Sequence, residues 1–258
     1  MLNPSKFKYY NRFDNFDSEE YFNKIINLAI HTYFEILNTK NYVKSEMSRK
    51  RENDYRDDFV KMMIDLQEDY GFYNLIINCE PQERRDDVEE IGLLDIKIQY
   101  RNLRSIKFIN KCYHTIECKR FGRNLNINDY YENGILEFLE GKYSSNANFA
   151  GMICFIEEFK NNWSMEDIIV KINEKLNEKN ISSLNNTPHT DYEYVYRLTT
   201  PRNYNDEDIN IIHLMLDYSS IYSNNWYFNP TLIVSFKYQL IQSSWASYKI
   251  NCIIIIAT

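Results

Sequence analysis

The chain has 258 residues, 44% hydrophobic and 26% charged, which fits a soluble globular protein of one large domain or two small ones. Its net charge of -7 counts against a surface devoted wholly to nucleic acid, where a basic balance is the rule. Five Cys without a Cys-x-x-Cys pair and four scattered His exclude a zinc-ligand pattern, and no apolar run reaches the roughly 18 residues of a membrane helix.

Residues 1 to 16 are polar and aromatic. A helix is predicted from Asp17 or Ser18, where Asp17 and Glu20 have capping-box spacing. Phe22, Ile25, Ile26, Ala29 and Tyr33 then recur at helical period until Asn38-Thr39-Lys40-Asn41. After the charged stretch from Lys44 to Asn53, a second helix carries Phe59, Met62, Met63, Leu66 and Tyr70 on one stripe, and Gly71 stops it. Phe72 to Glu80 reads as the first core strand, and Glu83 to Glu90 as a charged loop. Two further strands follow, Gly92 to Ile98 and Tyr113 to Lys119.

A helix is expected from about Asp129 to Glu140, with Gly141 as a left-handed C-terminal residue and Gly134 packed closely on the sheet. Phe149 to Ile156 is apolar throughout and suits a strand buried on both faces. Ser164 opens another helix with an N-cap pattern running to Asp167, and Ile168, Ile169, Ile172 and Leu176 form its stripe. Residues 179 to 191 read as a polar loop. Tyr192 to Leu198 and Ile209 to Leu216 read as strands joined by a turn from Thr199 to Asp208. His213 stands alone among apolar residues and reads as a core histidine. From Ser223 to Thr258 there is no Asp or Glu, and Thr231 to Ile241 reads as an added strand of no assigned role.

Chemistry concentrates between Gly92 and Gly122. Asp95 interrupts an apolar run, and a carboxylate buried there needs a partner or a metal. Glu117 and Lys119 flank Cys118 in the next strand, so their side chains share one face. If the two strands pair, two carboxylates and an ammonium converge. Such a group holds a divalent cation through hard oxygen ligands, with Lys119 beside a metal-bound water. From Asp95 to Arg123, eight basic residues face two acidic ones, a local balance of +6. Such a strip suits a phosphodiester and equally suits a solvated hairpin face. Glu158 and Lys160 are a rival Glu-x-Lys pair, with Glu117 as their upstream acid.

Asp95 followed by Glu117-Cys118-Lys119 resembles the core of the PD-(D/E)XK, or restriction-endonuclease-like, nuclease superfamily. The run Tyr131-Glu132-Asn133-Gly134-Ile135-Leu136-Glu137-Phe138-Leu139-Glu140-Gly141-Lys142-Tyr143, then Gly151-Met152-Ile153, resembles a branch of prokaryotic defence. The resemblance covers roughly residues 45 to 220. It implies an α/β fold, a mixed central sheet flanked by helices, with residues 1-44 as an N-terminal helical extension, 45-222 as the nuclease-like domain and 223-258 as a tail. It implies a Mg²⁺-dependent nuclease, with Mn²⁺ able to substitute, acting on DNA rather than RNA, and endonucleolytic rather than exonucleolytic. Asp95, Glu117 and the carbonyl of Cys118 would hold the metal. Lys119 would act on the water, and Glu52 or Glu80 would complete the site. Arg120, Tyr131, Lys142 and Tyr143 would contact substrate. Expected partners are nucleic acid and a second copy or a defence-system protein, with no membrane, in the cytoplasm. The alternatives are a non-catalytic module of the same fold that binds nucleic acid or protein, and a structural or toxin-neutralising partner with an acidic contact surface.

Overall fold

A computed structural model describes residues 19–39, 52–72, 75–79, 82–83, 92–100, 113–121, 126–143, 148–157, 159, 163–187, 192–203 and 207–219. Two long helices come first, α1 (Glu19–Thr39) and α2 (Glu52–Leu66). The strands β1 (Leu75–Cys79), β2 (Gln82–Glu83), β3 (Gly92–Leu93), β4 (Ile96–Tyr100) and β5 (Tyr113–Phe121) follow. Next is α3, made of helical turns Ile127–Tyr130 and Leu136–Leu139 around a π-helical segment, Tyr131–Ile135. The order closes with β6 (Phe149–Ile156), α4 (Met165–Glu178), β7 (Asn185–Asn186), β8 (Val195–Pro201) and β9 (Asp208–Asp217).

Seven strands form one sheet in the order β1-β4-β5-β6-β9-β8-β7. The β1, β4 and β5 pairings are antiparallel, β6 is parallel to β5 and to β9, and β7, β8 and β9 are antiparallel again. This is the mixed α/β sheet expected from the order of elements. β5 and β6 lie near its centre, and nearly every residue of both is buried. That explains their unbroken apolar character, because helices cover both faces.

Strand alternation divides the core in two. One layer joins Phe22, Ile25, Tyr55, Phe59 and Met63 of α1 and α2 to Ile116, Cys118, Ile153 and Phe155. The other joins Tyr130, Ile135 and Phe138 of α3 and Ile168 and Ile172 of α4 to Met152, Cys154, Ile211 and Met215. Each large apolar side chain buried in these layers contributes about 1.5–3 kcal/mol. α1 shares its core with the strands: Phe22 packs 4.9 Å from the His114 ring and 5.9 Å from Phe149. Gly151 permits that approach, since a Cβ there would lie 3.0 Å from Ile116 Cγ1 and 3.5 Å from Phe22 Cζ.

Local signals act as their chemistry predicts. α4 has a full capping box: Ser164 Oγ accepts from the Asp167 amide and Asp167 Oδ2 accepts from the Ser164 amide at 2.8 Å. Gly71 after α2 and Gly141 after α3 have φ of 76° and 71°, the left-handed region that glycine enters without strain. Asp17 and Ser18, the expected start of α1, lie outside the described residues.

Four expectations change. The expected strand Gly92 to Ile98 is broken at Leu94 and Asp95. β3 pairs with β2 in a separate ribbon, and only β4 joins the main sheet. Phe72 does not belong to the first core strand, since its amide bonds Gln67 O in the turn after α2, and Tyr73, Asn74 and Glu80 lie outside the described residues. The loop 179–191 contains β7, which pairs with Tyr196 and Arg197 at the sheet edge. The turn from Thr199 is tighter, since the ladder runs on to Pro201 opposite Asp208, supported by a 2.8 Å bond from Thr199 Oγ1 to Asn210 Oδ1. No helix among the described residues is long and apolar enough to cross a membrane. Residues 223–258, including the expected strand from Thr231 to Ile241, lie outside the described residues.

Candidate active site

The site arises where β4 leaves β5. β4 pairs with β5 only as far as Ile96 opposite Ile116, whereas β6 continues beside β5 to Phe121. Beyond Ile116 the backbone amides of β5 need acceptors other than β4, because buried N–H groups must be paired. Two carboxylates supply them. Asp95 Oδ2 accepts from the Cys118 amide and Glu52 Oε2 from the Arg120 amide, each at 2.8 Å. This is why the chain bends at Asp95: its side chain replaces a strand partner.

Glu117 and Lys119 project from the same stretch of β5, on the α3 side of the sheet. Lys119 Nζ donates to Glu117 Oε1 at 2.7 Å, with side-chain exposures of only 9% and 5%. Gly134 lies above them, where an added Cβ would stand 2.6 Å from Met152 Cε and 3.5 Å from Lys119 Cε. The second oxygen, Glu117 Oε2, is buried without a hydrogen-bond partner among the described residues. The Tyr143 phenol approaches the same carboxyl and favours its ionised form, but without the geometry that would satisfy Oε2.

The charges are strongly coupled. Burial first, then the Asp95 charge, push the Glu117 carboxyl well above the ordinary carboxylate range, with Lys119 opposing. Burial works against the Lys119 ammonium, but Glu117, Glu52 and Asp95 outweigh it and keep the proton on. Glu52 is raised by burial and by Asp95, with Lys119 pulling it down. The Cys118 thiol is raised by burial and the surrounding carboxylates, so it stays neutral and points into the core beneath α1 and α2.

Asp95, Glu117, Lys119 and Glu52 thus gather around one stretch of β5, although Asp95 stands in the bend before β4 and not, as the sequence reading had it, on a strand paired with β5. Two participants escaped the sequence reading. Arg56 is 3% exposed and donates through Nη1 to Asp95 Oδ1 at 2.8 Å, while its Nε and Nη2 bond Asp57 Oδ1. Its signal was present: it lies four residues after Glu52 on the same helical face, beside the buried Tyr55 and Phe59. Glu157, just past β6, binds the Arg120 guanidinium at 2.6 Å.

The expected substrate contacts are less open. Arg120 is engaged by Glu157 and lies 5.9 Å from the Tyr55 ring. Tyr143 is buried, and its phenol proton is held by burial and by the Glu117 and Glu137 carboxylates. Lys142 pairs with Glu137 and is 44% exposed. Tyr131 has a buried ring 5.5 Å from the Lys179 ammonium, and the charges acting on it are Glu132 and Glu140, not those of the site. His213 is a core residue as expected. Its Nδ1 meets the Tyr130 hydroxyl at 2.7 Å, and burial pushes it down to about 3. Glu80, the rival pair Glu158 and Lys160, and the basic residues Arg101, Arg104, Lys107, Lys111 and Arg123 lie outside the described residues.

Among the described residues, no three His, Cys, Asp or Glu side chains already surround a common cation position. The site oxygens are turned to Arg56, Lys119 and two β5 amides instead. The donor chemistry still fits a small hard cation. Mg²⁺ typically takes one or two protein carboxylates and completes its shell with water and phosphate. Glu117 Oε2 is a buried hard oxygen with no hydrogen-bond partner among the described residues. No protein-family model, curated protein or solved structure matches this chain.

Proposed function

We propose that the chain is a divalent-metal-dependent nuclease acting at Asp95, Glu117 and Lys119, with DNA as the substrate and a role in antiviral defence. The observation carrying this reading is the buried Glu117–Lys119 pair beside Asp95 at the bend before β4, with one Glu117 oxygen lacking a hydrogen-bond partner among the described residues. An unpaired carboxylate oxygen in a buried site is costly unless a cation or proton completes it. Asp95, Glu117 and the Cys118 carbonyl would hold Mg²⁺ or Mn²⁺, with Glu52 adjoining. When bound, the ion supplies charge stabilisation at the phosphate and an acidified water. The Lys119 ammonium, held charged by its carboxylate neighbours, orients the attacking water and offsets charge growing on the phosphate. Glu117 holds that ammonium in place.

The test is cleavage of plasmid, linear DNA and RNA with Mg²⁺ or Mn²⁺, by wild type, Asp95→Ala and Glu117→Ala. Metal-dependent cutting that both substitutions abolish supports the reading. No cutting of any substrate by wild type refutes it. A non-catalytic binding module of the same fold is the second reading. It is favoured by the way Asp95 and Glu52 already serve as acceptors for β5 amides, a purely structural task.

A further inference from the structure

Arg56 is a charged group of the site to which the nuclease reading gives no task. It is 3% exposed, and burying a guanidinium is costly unless its donors are used. Its planar fork is divided between two carboxylates, Nη1 on Asp95 Oδ1 and Nε with Nη2 on Asp57 Oδ1. Asp57 is 60% exposed and well solvated, so Asp95, at 15%, is the partner whose charge Arg56 most needs to balance. Glu52, Asp95 and Glu117 bring three carboxyl groups to the β5 edge, and Arg56 and Lys119 bring two cationic groups.

We propose that Arg56 is a positioning residue that occupies Asp95 as a resident counter-ion and competes there with the divalent cation. The inference rests on the nuclease reading. Without a cation, the guanidinium holds the Asp95 carboxylate beside the Cys118 amide and keeps the carboxylates from repelling one another. With a cation on Asp95, two positive charges would meet one carboxylate, and the ion pair must loosen. Cation affinity is thus reduced by the strength of the Arg56–Asp95 pair, and the folded site does not depend on metal to form. Charges a few ångströms apart in a partly buried site interact by several kcal/mol at an effective dielectric of about 20. A tenfold effect on affinity needs only about 1.4 kcal/mol of that.

The experiment measures Mn²⁺ binding by calorimetry and the metal-free melting temperature for wild type, Arg56→Gln and Arg56→Lys. Gln removes the charge. Lys keeps a charge but cannot bridge both carboxylates as the fork does. Affinity for Mn²⁺ should rise in the order wild type, Lys, Gln, with Gln at least about tenfold tighter than wild type. The metal-free melting temperature should fall in the same order. A merely structural role predicts weaker Mn²⁺ binding in both variants, and equal or weaker binding overturns the inference. If Arg56→Gln does not fold, the comparison of Lys with wild type decides by the same criterion. Binding by wild type without the predicted order refutes this inference alone. Absence of Mn²⁺ binding in all folded proteins refutes the nuclease reading and this inference with it.

Discussion

Removing Asp95 separates structural from chemical roles. Counting carboxylates alone predicts that Asp95→Ala relieves repulsion and leaves stability unchanged or higher. The geometry reverses that expectation. The substitution strands the Cys118 amide, which accounts for about 1–3 kcal/mol if it stays unpaired. It also takes from the buried Arg56 its partner at 2.8 Å. Breaking a fully buried pair costs about 3–5 kcal/mol, and here Arg56 keeps Asp57, so the lower end applies. Relieved repulsion with Glu117 and Glu52 offsets part of the loss. A net destabilisation of about 2–4 kcal/mol follows, near 5–15 °C in melting temperature for a unit of this size. Asp95→Asn keeps an acceptor for the amide and loses only the charge, so it should fall about half as far. Thermal and urea unfolding followed by circular dichroism measure both, and on the proposed function Mn²⁺ calorimetry should show weaker cation binding in both. A stability of Asp95→Ala within about 0.5 kcal/mol of wild type, the range of an ordinary surface change, refutes the reasoning.

Three further outcomes are expected. Lys119→Ala should bind nucleic acid as wild type does but cut it at least about 100-fold more slowly in single-turnover assays, and Lys119→Arg should restore little; equal cutting removes Lys119 from the chemistry. Glu52 has a folded-state pKa raised above its ordinary 4.5, so its contribution to stability is fully present below 4.5 and is lost as pH rises through the raised value. The melting temperature of Glu52→Gln relative to wild type should therefore climb with pH above 4.5, and a flat difference contradicts it. Gly151→Ala places a Cβ 3.0 Å from Ile116 Cγ1 and 3.5 Å from Phe22 Cζ, so it should cost about 1–3 kcal/mol in unfolding experiments, and a more stable variant shows that α1 can shift to make room.

What could be read from sequence was what depends on neighbours along the chain. The stripe Ile168, Ile172 and Leu176 and the Ser164 and Asp167 pair define α4 because helix period and capping act within a few residues. The shared face of Glu117 and Lys119 follows from the two-residue repeat of a strand, whatever surrounds it. Their order after Asp95 and before α3 was equally visible. The π-helical segment Tyr131–Ile135 was not, since the sequence from Tyr130 to Leu139 reads as an ordinary helix; in the fold this segment places Gly134 against Met152 and Lys119.

The site itself was half written in the sequence. Residue types and strand alternation determined that Glu117 and Lys119 would pair on one face and that Asp95, inside an apolar run, would need a partner. They could not name that partner. Arg56 reaches Asp95 across 39 residues of sequence, and Glu52 reaches the Arg120 amide across 68. Those contacts exist because β4 begins only at Ile96, opposite Ile116, while β5 continues to Phe121, leaving amides that side chains from α2 and the bend before β4 satisfy. Where a strand stops, and which helix lies over its end, is set by the packing of the whole sheet. Tertiary structure alone therefore decided which charges meet Asp95, and it met that carboxylate with an arginine.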